Sequence, residues 1–368
     1  MAQRGGKVWV YGATGFTGRL VCASLRRRGV AFGIAGRDRA KLDALASELG
    51  GDIDTREAPL FDPELLYAAL SDAGVIVSCA GPFSKLGEPV LRAALHAGAH
   101  YLDTTGEQAF MRDIYQRYEA AARRAGVCFV NACAFEVALG DWAAALAGEA
   151  MGAASEPVDE VTVAYALEGF HTSRGTQLSA LEQLAAPGVV WERDRWDPMP
   201  PAAEKRTFGF PAPFGARTAI SFPSGEVITV PRHVPAHRVQ TYLSLPPGPL
   251  GAVASRAGGF FGAVARSPLM GIARRRVAGA PEGPTPGQRE VNDFAVAATA
   301  TRGFESAHVC ITGTDVYGTT GEIVALGVAR LLDGGPRCAG VCAPAEAFDA
   351  RESLAQLDVR VTSSFELS

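Results

Sequence analysis

The chain has 368 residues, 48% hydrophobic and 20% charged, with a formal net charge of −4. That length accommodates two ordinary domains of ~100–200 residues each, and the hydrophobic share suffices for a large buried core. The slightly acidic balance excludes an electrostatic nucleic-acid binder, and no run approaches the ~18 apolar residues of a membrane span.

The opening residues MAQRGGKVW run straight into an apolar stretch, so no leader is expected before the fold. Strand-length apolar runs follow at Val8–Tyr11, Phe32–Ala35, Val75–Cys79, Tyr101–Asp103 and Val127–Asn131. Between them, apolar residues three and four apart predict helices over Arg19–Arg28, Arg39–Leu49, Pro63–Ser71, Pro89–Ala97 and Phe110–Ala125. Strict alternation of strand and helix means right-handed crossovers. The expected class is therefore α/β, with a Rossmann-type doubly wound parallel sheet over residues 1–140.

After Ala154 the texture changes. VDEVTVAYALEG, RTAISFPSGEVITV, RVQTYLSLP and DFAVAATATRGFESAHVCITGT alternate like half-exposed strands separated by turn residues. They predict a second α+β domain over residues 141–316, built on a largely antiparallel sheet, with one helix near Thr176–Leu184. Gly248–Gln288 reads as a loop rich in Gly, Ala and Arg. TTGEIVALGVARLL then predicts a strong helix and LDVRVTSSFEL an extended tail. Residues 317–368 are expected to return to the first domain or to the seam with the second.

The run VWVYGATGFTGRLV sets Gly12, Gly15 and Gly18 three apart between a buried strand and a helix. Gly12 follows the strand, Gly18 opens the helix, and Gly15 stands where a side chain would keep a pyrophosphate from the backbone amides. Gly12, Thr14, Gly15, Phe16, Thr17 and Gly18 are thus expected to cradle a dinucleotide. The second strand ends at Gly36-Arg37, where an NAD site usually carries an acid; the arginine suits a 2′-phosphate and favours NADP(H) over NAD. Asp38 comes next and keeps the acidic alternative open. Asp62, after the third strand, is a candidate for the adenine.

Ligands in such sheets lie beyond the carboxyl ends of the strands. Ser78–Phe83 (SCAGPF) offers small residues, Cys79, Ala80, Gly81 and Pro82, for close approach to ribose and nicotinamide. Tyr101–Glu107 (YLDTTGE) clusters Asp103, Thr104, Thr105, Gly106 and Glu107, of which Thr105 and Gly106 are expected to bind the cofactor. For Asp103 and Glu107 two readings stand side by side, capping of a helix start and proton handling. Asn131–Trp142 (NACAFEVALGDW) follows the last strand of the set.

Together YGATGFTGRLV, AGRDRAKLDAL, VSCAGPFSKLGEPVLRAALHAGAHYLDTTGE and TGTDVYGTTGEIVALGVARLL resemble the saccharopine dehydrogenase-like oxidoreductases, above all their trans-acting enoyl reductase subgroup. The resemblance covers most of the chain and is strongest over residues 7–142. It departs from the family after the sixth strand, where the usual Gly-Phe-Asp-Ser-x-Pro-x-Asp is replaced by Ala134–Asp141. Phe135 and Asp141 match, Glu136 replaces Asp, and the Ser and Pro are lost. Such a change fits a different substrate or a site that no longer turns over.

The resemblance implies an NADPH-dependent reductase of an activated C=C, with a small-molecule or carrier-bound substrate such as an enoyl thioester. The alternatives are a saccharopine-type C=N reductase and a non-catalytic NADP-binding partner protein. Candidate proton donors are, in order, Tyr317, Asp103, Glu107, Glu136 and His171. Lys85 is a further candidate for phosphate or substrate carboxylate. Amino-acid substrates would call for converging arginines, for which Arg174, Arg217, Arg232 and Arg238 are available. The apolar segment FGFPAPFGA and the stretch Phe260–Ile272 predict an apolar-walled pocket.

No metal site is expected: His96 and His100 lack a third ligand, and Cys128, Cys133, Cys338 and Cys342 lack zinc-ribbon spacing. The seven cysteines follow no repeating frame, so reduced thiols in a cytoplasm are expected. Phe260–Ile272, interleaved with arginines, reads as an interdomain or homodimer-interface helix in preference to a peripheral membrane contact.

Overall fold

The computed structural model describes residues 6–169, 171–184, 188–200, 202–244, 275–277 and 279–367. Residues 1–105, 110–135 and 317–348 form one unit; residues 106–109, 136–316 and 349–368 form the other. The division parts the segment 317–368 after residue 348. The expected interface helix Phe260–Ile272 lies outside the described residues.

In the first unit the strands are β1 (Lys7–Tyr11), β2 (Phe32–Gly36), β3 (Thr55–Glu57), β4 (Ala73–Ser78), β5 (His100–Asp103), β6 (Cys128–Val130) and β15 (Gly340–Cys342). They lie in the order β15-β6-β5-β4-β1-β2-β3, every pair parallel. Parallel strands are covered on both faces, which is why AGVIVS reads as an unbroken buried run. The chain winds outward from β1 in both directions, so the switch point lies between β1 and β4.

The connecting helices are α1 (Phe16–Arg27), α2 (Arg39–Leu49), α3 (Pro63–Ala69), α4 (Phe83–Ala97) and α5 (Gln108–Ala125), while α6 (Phe135–Ala150) belongs from Glu136 onward to the second unit. α4 starts six residues before the expected Pro89 and carries that proline inside it. The missing N–H there removes one helical bond, which the buried face of Phe83, Gly87, Val90, Leu91 and Ala94 outweighs.

Strand β15 is too short to show a period in the sequence. It is held by pairing with β6 and by the Glu119 carboxylate, which accepts the Val341 N–H at 2.6 Å. Beside it, a disulfide joins Cys338 to Cys342, correcting the expectation of thiols throughout. The Cys128 Sγ lies 3.9 Å from that of Cys338. The backbone turn into β15 brings together sulfurs whose spacing showed no frame.

In the second unit the strands are β7 (Val158–Leu167), β8 (Gly188–Glu192), β9 (Arg195–Met199), β10 (Lys205–Phe210), β11 (Gly215–Ser221), β12 (Ala236–Ser244), β13 (Asp293–Arg302), β14 (Glu305–Thr314) and β16 (Val359–Leu367). The main path runs β10-β11-β12-β7-β13-β14-β16, with β8 and β9 branching from β12. β12 and β7 are parallel and the other pairs antiparallel, so the sheet is mixed. Helix α7 (Arg174–Leu184) lies where one was expected.

Two sequence expectations change here. In GEVITV the β-branched run is helical, because the Gly225 carbonyl accepts the N–H groups of Ile228 and Thr229. The FGFPAPFGA segment is the β10–β11 hairpin, whose Phe210 and Phe214 pack into a buried cluster with Tyr242 and serve as core in place of a pocket wall. Among the described residues, no helix is long and apolar enough to cross a membrane.

Candidate active site

The three glycines occupy geometrically different places. Gly12 has φ +79°, and a Cβ there would come within 2.9 Å of the Ala80 backbone nitrogen. The turn after β1 is therefore pressed against the loop after β4, where the Cys79 N–H donates to the Tyr11 carbonyl at 2.9 Å. A Cβ on Gly18 would land 2.3 Å from the Gly12 carbonyl oxygen and 2.7 Å from Ala13 Cα, so only glycine lets α1 pack on the strand. Gly15 differs: it is exposed, it is the N-cap of α1, and a Cβ would meet only the Gly12 oxygen, at 3.4 Å. No side chain caps α1 at Gly15. The partial positive charge of a helix start thus opens beside Thr14, Gly15, Phe16 and Thr17.

Arg37, directly after β2, is exposed and forms no ion pair among the described residues. Asp38 is committed elsewhere: its carboxylate caps α2 by accepting the Lys41 N–H at 3.1 Å. Asp62 likewise caps α3, accepting the Leu65 N–H at 3.1 Å, so a base contact would have to share that oxygen or use the other. Its neighbour Phe61, which sequence reasoning passed over, is 78% exposed. The segment after β3 is fastened beside Gly36 by the Ala58 N–H, which donates to the Gly36 carbonyl, and by the Tyr11 hydroxyl, which donates to Ala58.

Beyond β4, Cys79, Ala80, Gly81 and Pro82 lead into α4, and Lys85 lies in that helix's first turn. Beyond β5, Asp103 is completely buried and accepts three donors: Asn131 Nδ2 at 2.6 Å, the Ala132 N–H at 2.8 Å and the Thr105 N–H at 3.2 Å. Burial pushes its carboxyl up to about 6, against the pull of those bonds. Ala132 has φ +58°, a conformation disfavoured for any residue with a Cβ. Asp103 therefore ties the loops after β5 and β6 together and pins this strained residue. Just beyond, Thr320 Oγ1 accepts the Phe135 N–H at 3.1 Å.

Tyr317 opens helix α8 (Val316–Asp333). Its buried ring stands edge-on to Phe16, centroids 5.1 Å apart, at the start of α1. A Cβ on Gly321 would come within 2.8 Å of Ser24 Oγ, and Glu322 pairs with Arg27 at 2.6 Å and Arg28 at 3.0 Å. These contacts fix α8 along α1.

In the second unit, Gly106 and Glu107 meet Glu136. A Cβ on Gly106 would fall 2.5 Å from Glu136 Oε2, so the glycine makes room for this carboxyl. Glu107 Oε1 accepts the Ser179 hydroxyl at 2.9 Å. Desolvation, followed by the charge of Glu107, pushes Glu136 up to about 7. Behind it lies a residue the strand reading of GEVITV concealed: fully buried Glu226, pushed by burial up to about 8. The Tyr165 hydroxyl contacts both the Glu226 carboxyl and the Glu136 carbonyl oxygen. Exposed His171 is bonded through Nδ1 to the Gly169 carbonyl, and His233 Nε2 to Asp141 at 2.8 Å.

Residues 8–130 match the family described as saccharopine dehydrogenase NADP binding domain. The match takes in about a third of the chain, the strands β1–β6 of the first unit. A trans-acting enoyl reductase of Mycobacterium ulcerans is 34% identical over 140 residues, which are 37% of this chain and 34% of that protein. A saccharopine dehydrogenase-like oxidoreductase of Bos taurus is 28% identical over 197 residues, 49% of this chain and 46% of that protein. The alignments thus span between a third and a half of these relatives. In fold, 98% of this chain superposes on all of apo saccharopine dehydrogenase (L-Glu forming) of Saccharomyces cerevisiae, with a TM-score of 0.62 and 13% identity.

NADP(H) is the cofactor of a saccharopine dehydrogenase NADP-binding domain, and the residues present fit it. The uncapped start of α1 faces open space above Gly15, where a side chain would stand. Arg37, at the end of β2, is an exposed cation without an ion pair among the described residues.

Proposed function

We propose that the protein is an NADPH-dependent reductase of an activated carbon–carbon double bond, presented as an enoyl thioester or a comparably bulky, carrier-bound intermediate. Thr14–Gly18 and the loop Cys79–Pro82 would hold the pyrophosphate and the ribose nearest the nicotinamide, with Arg37 on the 2′-phosphate and Phe61 offering a flat apolar surface to adenine. Bound NADPH supplies a hydride equivalent; the chain's own residues must supply a proton. Glu136 retains one near neutrality, the range in which a general acid is most effective. Buried, neutral Glu226 and Tyr165 hold the backbone of Glu136 in place. Asp103, Tyr317 and Glu107 take supporting parts in this reading: Asp103 positions the loop before α6, Tyr317 braces Phe16, and Glu107 raises the proton affinity of Glu136.

The observation that carries the choice of substrate is the state of the arginines. Arg174 pairs with Glu282, Arg217 with Glu168, and Arg238 with Glu204 and Glu160. A site that condenses an amino acid with a carbonyl partner needs charge-assisted forks for carboxylates, and these are already engaged by glutamates. The enoyl reductase relatives support the same direction.

The test is NADPH oxidation with enoyl thioesters of increasing acyl length, run beside amino acid plus aldehyde mixtures. Turnover with the thioesters is expected, with KM falling as the chain lengthens because each buried CH₂ contributes about 0.8 kcal/mol. Turnover only with the second set would establish imine reduction instead. Turnover with neither would leave a cofactor-binding protein without this chemistry.

A further inference from the structure

Strand β16 closes the path of the second sheet. It spends one edge on β14, over the register Glu305↔Leu367 to Gly313↔Val359, and among the described residues no strand meets its other edge. All side chains from Arg360 to Glu366 are exposed, although alternate residues of a strand point to opposite faces. A nine-residue edge is normally blunted by proline, lysine or a bulge. VRVTSSFEL contains neither residue, carries charge only at Arg360 and Glu366, and its pairing with β14 is unbroken over nine positions. Two of the few exposed large hydrophobics among the described residues, Val361 at 40% and Phe365 at 52%, lie on one face of it.

We infer that β16 is the isologous contact of a homodimer, in which two copies pair antiparallel about a dyad through Ser363. The sequence of the strand is complementary to itself in that register. Arg360 falls opposite Glu366 of the second copy, Val361 opposite Phe365, and Thr362 opposite Ser364, each pair occurring twice by symmetry. The ion pairs lie on one face and the apolar pairs on the other, so every exposed hydrophobic of the strand acquires a partner.

Few other registers are available. Free N–H and C=O groups recur at every second residue of an edge, so a symmetric antiparallel pair must place its dyad on a residue and not between two. A dyad on Thr362 sets Glu366 against Asp358 and Val361 against Ser363. A dyad on Ser364 sets Thr362 against Glu366 and Ser363 against Phe365. Of these three, only the dyad on Ser363 matches charge with charge and apolar with apolar. The occupant of this edge is thus a second copy of the chain, and the two sheets become one.

Sedimentation equilibrium of the full chain tests this. The wild type should be a dimer. Arg360→Glu and Glu366→Arg, each placing like charges opposite twice, should weaken it by about tenfold, and the double exchange Arg360→Glu/Glu366→Arg should recover most of that loss. A second measurement does not depend on these charges: Ser363→Cys puts two thiols directly opposite and should give a disulfide-linked dimer on mild oxidation, absent from the wild type. A monomeric wild type overturns the inference. So does a dimer that neither single charge variant weakens and that Ser363→Cys does not cross-link.

Discussion

Gly18 lies so close to Gly12 that a methyl group on it would sit 2.3 Å from the Gly12 carbonyl oxygen. The obstacle is backbone and has no rotamer by which to yield. Gly18→Ala is therefore expected to cost about 3 kcal/mol of stability, the upper range for overpacking. Gly15→Val should behave in the opposite way: its Cβ meets only one atom, at 3.4 Å, so melting should stay cooperative and near the wild-type Tm while NADPH binding is lost. Calorimetry and a fluorescence titration of each variant decide it. If Gly15→Val still binds, the run is no more than a turn.

The cofactor preference rests on Arg37, since Asp38 is engaged as the α2 cap. A charge-assisted pair to a phosphate is worth roughly 1.5–3 kcal/mol. Arg37→Ala should thus weaken NADPH about tenfold or more and leave NADH almost unchanged. Equal wild-type affinities for the two nucleotides would contradict this role.

Asp103 accepts three buried or part-buried donors, one of them the N–H of left-handed Ala132. Asp103→Ala leaves them without that acceptor and is expected to lower stability by about 3 kcal/mol, read by urea denaturation. Glu136→Gln, which keeps the shape of a carboxyl that is protonated near neutrality, should instead leave stability within about 1 kcal/mol and depress turnover with its pH profile. A stable Asp103→Ala protein would refute the clamp.

Three carboxyls have raised proton affinity in the folded state: Asp103 at about 6, Glu136 at about 7 and Glu226 at about 8. Their unfolded values are near 4. Between these limits the folded chain binds more protons than the unfolded one, so stability falls as pH rises from about 4 to 8. Asp72, Glu88, Glu204 and Glu322 are shifted the other way, and their contribution fades only as pH falls below about 4. Denaturation at pH 5.5 and 8 should therefore show the lower pH to be the more stable. Glu226→Gln, which keeps a donor for Tyr165 without a titrating proton, should reduce the slope.

Some of this was fixed before any contact formed. The period of apolar residues and the placing of glycines are local properties, set by backbone geometry and needing no distant partner. They determined the alternating strands and helices up to Val130, the glycine turn at Gly12–Gly18, and Arg37 at the end of β2. Other features depended on what each segment met in space. Val227–Thr229 has the composition of a strand, yet it is helical and brings Glu226 to Tyr165. Asp38 and Asp62 are candidates for the nucleotide in the sequence and Asp103 for a cap or a proton donor, and only the structure shows the first two capping helices and the third clamping a loop. β15 has three residues and no detectable period, and its place beside β6 was decided by hydrogen bonds to chain far away in sequence. Three of the four arginines that might have held a substrate's carboxylates, Arg174, Arg217 and Arg238, found glutamates instead. A side chain's type is written in the sequence, but its partner, its burial and hence its proton affinity arise only when distant segments pack.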